Sequence, residues 1–124
     1  VTVRTQVGVT FMSGPRDGET KYFETPSTGN DLVIVIGRRE GCDILLEYDG
    51  QVSRLHVHLV YDPKSDRFYL IDQTSRNKTW VGQHALEPEQ RTEIQPGTLF
   101  RVGRTWLRVD PPENSQTDED MLPF

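Results

Sequence analysis

No stretch of this chain repeats apolar residues at helical spacing, and that absence constrains the fold more than any single motif. Apolar residues instead alternate, or gather in short blocks, between turn formers. Val7–Met12 reads as a first strand, closed by the turn Ser13-Gly14-Pro15-Arg16-Asp17-Gly18. Lys21–Thr25 reads as a second, and Leu32–Ile36 as a third, expected to be buried on both faces because all five residues are aliphatic. Asp43–Leu46 is short, and His56–Tyr61 alternates. Pro63-Lys64-Ser65-Asp66 then turns the chain back into Arg67–Ile71. Thr79-Trp80-Val81 leads into Gly82-Gln83, where Gly at the first central position suits a type II′ hairpin. Pro96-Gly97 precedes Leu99–Val102, and Gly103-Arg104 separates that run from Trp106–Val109. About eight to eleven short strands with frequent turns and no helix predict an all-β, antiparallel β-sandwich.

The 124 residues suit one domain, assigned to 1–110, and can bury a real core. Pro111-Pro112 reads as the end of that domain, with 111–124 an acidic, disordered tail or linker. The net charge of -5 is uneven, because Glu113, Asp118, Glu119 and Asp120 all lie in the tail. Without those four acids, 14 basic residues face 15 acidic ones, and no basic stripe is present, so nucleic acid is not an expected partner. The longest apolar run is far too short to cross a bilayer, and no leader is evident, so neither membrane nor secretion is expected. Val1 suggests a piece of a longer protein. The single cysteine, Cys42, favours a reducing compartment and reads as a small buried filler. His56, His58 and His84 lack metal-ligand spacing, so no metal or other cofactor is expected. A nucleophile elbow, a glycine-rich phosphate loop and a paired-carboxylate cleft are all missing, so catalysis is not expected either.

Three signatures remain: Gly37-Arg38, Ser53-Arg54-Leu55-His56, and Asp72-Gln73-Thr74-Ser75-Arg76-Asn77. Each ends an apolar run and opens into a turn, where a rigid sheet can aim donors at a ligand. Three arginines, two serine hydroxyls and an Asn form a poor nucleophilic site and a good anion receptor. Arg38 offers a planar fork for two oxygens, Ser53 a short hydroxyl, Arg54 and Arg76 further charge. Asn77 carries both an amide donor and a carbonyl, which suits an extended peptide main chain.

In this order and spacing the signatures resemble those of the forkhead-associated (FHA) domain, over roughly Phe11 to Val109. The late Ile94-x-x-Gly97-x-x-Phe100-x-x-Gly103 pattern belongs to the same resemblance. It implies a sandwich of about eleven strands that binds phosphothreonine peptides through loops at one end, a non-enzymatic signalling module. Arg38 and Ser53 would hold the phosphate, with Arg54 alongside and Arg76 within reach, and Asn77 would fix the peptide backbone. His56, Asp72 and Ser75 would support the loops. The partner implied is a phosphothreonine-bearing segment of another protein or of the parent protein, in the cytoplasm or nucleus. The alternative is a domain of the same fold that pairs with partners independently of phosphate. Lys78 favours that alternative, since the family usually has Gly there; if the position needs φ > 0, Lys costs about 1 kcal/mol. Thr117, followed by Asp118-Glu119-Asp120, suits an acid-directed kinase and suggests self-association through a phosphorylated tail.

Overall fold

A computed structural model describes residues 3–116, with side-chain placement for 5–113. Twelve strands form two packed sheets, and there is no helix among the described residues. One sheet runs β12-β1-β11-β10-β7-β8, with β2 on the free side of β1. Its strands are β1 (Val3–Phe11), β2 (Thr20–Glu24), β7 (Thr79–Val81), β8 (His84–Ala85), β10 (Leu99–Val102), β11 (Thr105–Val109) and β12 (Glu113–Gln116). The other runs β4-β3-β5-β6-β9, from β3 (Leu32–Gly37), β4 (Ile44–Leu45), β5 (Val57–Asp62), β6 (Arg67–Asp72) and β9 (Thr92–Ile94). Pairing is antiparallel except between β3 and β4. The sandwich expected from the alternating pattern is therefore the fold observed.

Alternation along each strand supplies the core. Val7, Val9 and Phe11 from β1 meet Ile34, Ile36, Leu59, Phe68 and Leu70 from the opposite sheet, and Phe100, Val102, Leu107 and Val109 complete the layer. All of these are fully buried. The aliphatic run Leu32–Ile36 has only one buried face: Ile34 and Ile36 point inward, whereas Val33 is 45% exposed. The both-faces reading fails because no second layer among the described residues covers this sheet from outside; five aliphatics in a row record β propensity as much as burial. Gly82-Gln83 links Val81 to His84, and Gly82 has φ +60° while Gln83 does not enter the positive region, as a type II′ turn requires.

Pro111-Pro112 interrupts the sheet without ending it. Val109 pairs with Val9 and Glu113 with Gln6, so four steps on one strand oppose three on the other. This one-residue bulge accommodates two residues that have no N–H to donate. Beyond it β12 follows the same edge of β1 to the pair Gln116–Val3, so residues 113–116 belong to the sheet and not to an irregular tail. Thr117 and the acids after it lie outside the described residues.

The turns after β1, β3, β6 and β10 and the segment before β5 all emerge at one end of the sandwich. The pairs Phe11–Leu107, Ile36–Val57, Val57–Asp72 and Val102–Thr79 fix this arrangement. All three sequence signatures fall at that end.

Candidate functional site

Gly37 sets how closely the first two signatures approach. A Cβ at Gly37 would overlap the Arg54 carbonyl oxygen and lie 3.1 Å from Cys42 Sγ, so only glycine lets the segment before β5 lie against β3. The backbones then interlock: the N–H groups of Arg38, Arg39 and His56 donate to the carbonyls of Ser53, Arg54 and Ile36 at 3.0–3.1 Å. Cys42 is half-buried here, with its thiol 3.5 Å from the Arg54 carbonyl, rather than sealed in the core. Burial pushes its pKa up.

His56 joins the second signature to the third. It is fully buried, its Nδ1 accepts the Ser53 N–H at 3.0 Å, and its Nε2 lies 2.8 Å from the Lys78 carbonyl. A carbonyl can only accept, so Nε2 carries the proton and Nδ1 is bare: one neutral tautomer satisfies both ends. Burial lowers the imidazole pKa, against opposing pulls from the Lys78 carbonyl and from Asp72 and Asp49. His58, by contrast, is half-buried on β5.

Asp72 and Ser75 fold the third loop. Asp72 is fully buried; Oδ1 accepts the hydroxyls of Ser75 at 2.6 Å and Thr79 at 2.7 Å, and Oδ2 accepts the Ser75 N–H at 3.0 Å. The loop then crosses to the second signature, where the Arg76 N–H donates to Ser53 Oγ at 3.0 Å and Asn77 Nδ2 to the Gln51 carbonyl at 2.9 Å. Lys78 has φ +65°, the left-handed region that the sequence flagged for this position.

The result is one depression of about 280 Å³, lined by Arg38, Ser53, Arg54, Arg76 and Asn77 with the backbone around Gly50–Val52. Arg38 Nε is anchored on the Val52 carbonyl at 2.9 Å, which steadies the guanidinium while both terminal nitrogens stay available. Ser53 Oγ accepts from Arg76 and still has its proton to donate. Asn77 keeps its Oδ1 and one N–H. Among the described residues no carboxylate lies within 4 Å of Arg38, Arg39, Arg54, Arg76 or Lys78. By comparison, Arg16, Arg67, Arg91 and Arg108 each have an acidic partner. Such uncompensated cations favour an anion. His56, Asp72 and Ser75 lie behind this depression rather than in its lining.

Asp49, Gln51 and Val52 were not singled out in the sequence. Asp49 is 5% exposed and accepts the Gln51 N–H at 3.0 Å, the Arg104 N–H at 2.8 Å and the Thr105 hydroxyl at 2.7 Å. Burial alone would raise its pKa, but these hydrogen bonds and the Arg104 charge outweigh it and hold the carboxyl below its usual value. Asp49-Gly50 is a turn signal that could have revealed it. Gln51 and Val52 act through their carbonyls, which have no residue signature. A second hollow, of about 450 Å³, adjoins the first across Gly50-Gln51 and is walled by Ser13–Pro15, Tyr48 and Arg104.

The molecule is thus a β-sandwich whose loops at one end gather Arg38, Arg54, Arg76, Ser53 and Asn77 around one depression. Residues 34–103 match the family model of the FHA domain, and the chain belongs to that family. It is 29% identical over 93 residues to the FHA domain-containing protein PS1 of Arabidopsis thaliana, covering 75% of this chain but only 6% of that protein. The solution structure of the FHA domain of an Arabidopsis thaliana hypothetical protein superposes with a TM-score of 0.74, at 24% identity and with 90% of each chain covered. The N-terminal FHA domain of S. cerevisiae Rad53p, solved in complex with a phosphothreonine peptide, superposes at 0.73, with 19% identity over 85% of this chain and 92% of that one.

Proposed function

We propose that this domain is a non-enzymatic module that docks a phosphothreonine-containing segment on its loop end. The observation that carries the reading is the single depression lined by Arg38, Ser53, Arg54, Arg76 and Asn77, with no neutralising carboxylate among the described residues. A phosphorylated side chain brings a charge near -2 and three strong acceptors. The Arg38 fork and the Ser53 hydroxyl take phosphate oxygens, Arg54 and Arg76 add charge, and Asn77 pairs with the main chain beside the phosphothreonine. The adjoining hollow at Tyr48 and Arg104 receives a neighbouring side chain of the segment. A reducing, kinase-containing compartment, cytoplasmic or nuclear, fits this role.

The test is an oriented phosphothreonine peptide library with matched phosphoserine and unphosphorylated controls. Selection should require phosphothreonine. Arg38→Ala and Ser53→Ala should each weaken the preferred peptide more than about tenfold, since truncating one partner of a desolvated charge pair usually costs about 2–5 kcal/mol. Equal binding of phosphorylated and unphosphorylated peptides would replace this reading with phosphate-independent association.

A further inference from the structure

Both tryptophans of the chain stand outside the core, on the outer face of the sheet just below the loop end. Trp80 on β7 and Trp106 on β11 are the direct cross-strand neighbours of Arg101 on β10. The Arg101 guanidinium lies 5.3 Å from the Trp80 ring centroid and 5.9 Å from that of Trp106. Met12, 37% exposed, and Leu99, 42% exposed, border this row. Arg101 Nη1 donates to the Gly103 carbonyl at 2.8 Å, which fixes the group without neutralising it. No carboxylate among the described residues is within 4 Å of it, in contrast to Arg108 one strand away, which holds Asp110 at 2.7 Å. The face combines wide aromatic area with an unsatisfied cation, the composition of binding surfaces rather than of solvated sheet.

Trp80 also ties this row to the receptor: its Nε1–H donates to the Asn77 carbonyl at 3.0 Å. The row therefore starts beneath the residue assigned to the ligand's main chain. With strands about 4.8 Å apart, Arg101 lies on the order of 10 Å beyond Asn77. Three or four extended residues cover that span at about 3.3 Å each.

We propose that the Trp80–Arg101–Trp106 face is a second docking surface for the acidic flank of the same phosphothreonine segment, placing a carboxylate on Arg101 and apolar atoms on the indoles. This rests on the phosphothreonine reading above and extends it to the ligand's flank. The Gly103 hydrogen bond and the two flanking indoles hold the guanidinium in place before the ligand arrives, and its remaining N–H groups can meet a carboxylate.

The experiment compares three phosphothreonine peptides: a short core, and the core extended by four residues containing two acids on either the N-terminal or the C-terminal side. One extension should tighten binding about fivefold at low salt and shift the tryptophan emission beyond any change the short core causes. Arg101→Gln should abolish that gain and leave short-core affinity unchanged, while Arg39→Gln with Lys78→Gln should retain most of it. Should Arg101→Gln not fold, Arg101→Lys and the wild-type emission shift carry the same comparison. If the short core binds and neither extension gives an Arg101-dependent gain, the second surface is refuted and the receptor stands. If no phosphothreonine peptide binds at all, both proposals fall.

Discussion

Replacing His56 separates the two loops it connects, and the replacements can be chosen to cut one link at a time. In the native domain Nδ1 receives the Ser53 N–H and Nε2–H reaches the Lys78 carbonyl, with the ring wholly buried. His56→Ala leaves both backbone groups without a partner, at about 1–3 kcal/mol each, and adds a cavity the size of an imidazole. A loss of about 3–6 kcal/mol follows, a large share of a stability on the order of 5–15 kcal/mol. The Asn77 crossing and the Ser53 loop should loosen together, so phosphopeptide affinity should fall although His56 touches no ligand. Asn carries an acceptor near the Nδ1 position and Gln a donor near Nε2. His56→Asn should therefore keep the Ser53 link and His56→Gln the Lys78 link, each recovering roughly half of the lost stability. Acid should act on the same bond. Protonation turns Nδ1 into a donor facing another donor, and the folded pKa is depressed below the unfolded value. The resulting stabilisation is present above about pH 6.5 and is lost as pH falls from there towards the folded pKa. Urea unfolding across pH 5–8, with amide exchange at Ser53, measures all of this. If His56→Ala unfolds within about 0.5 kcal/mol of wild type, or all three variants lose equal stability, the bridging role is wrong.

Gly37→Ala should cost at least about 2–3 kcal/mol, read from the urea midpoint, because the added methyl meets the Arg54 backbone rather than a movable side chain. At Lys78, with φ +65°, Lys78→Val should destabilise by more than about 1 kcal/mol. Lys78→Gly should change stability by less than about 1 kcal/mol, since backbone relief is offset by the freer unfolded chain; thermal unfolding compares the two. Asp49 has a depressed folded pKa, so its contribution is present above about pH 4 and is lost as pH falls through the folded value. Asp49→Asn should flatten the stability profile between about pH 5 and pH 3, as acid titration followed by circular dichroism would report.

The strand pattern and the side chains gathered at the depression were legible because each rests on side-chain chemistry: alternation for the sheets, and Arg, Ser and Asn at turn positions for the lining. What stayed hidden was carried by backbone. The carbonyls of Gln51 and Val52 seat Asn77 and Arg38, yet any residue could supply them. The tautomer of His56 depends on two groups from distant segments, which no local window brings together. Pro111-Pro112 reads as a stop because proline cannot join a ladder; a one-residue bulge removes that demand and lets β12 continue. Val33 shows the opposite failure, an aliphatic side chain on a face left exposed by the described residues. The row formed by Trp80, Arg101 and Trp106 needs strand order to be seen, because its members come from three separate runs.

The pairing of Gln116 with Val3 also gives the domain a polarity. Both strands arrive at the end remote from the loops, and the eight steps from Val3 to Phe11 put about 27 Å between that base and the receptor. The two strands that pair at the base therefore leave the loop end clear, and a ligand reaches the depression there without passing either of them.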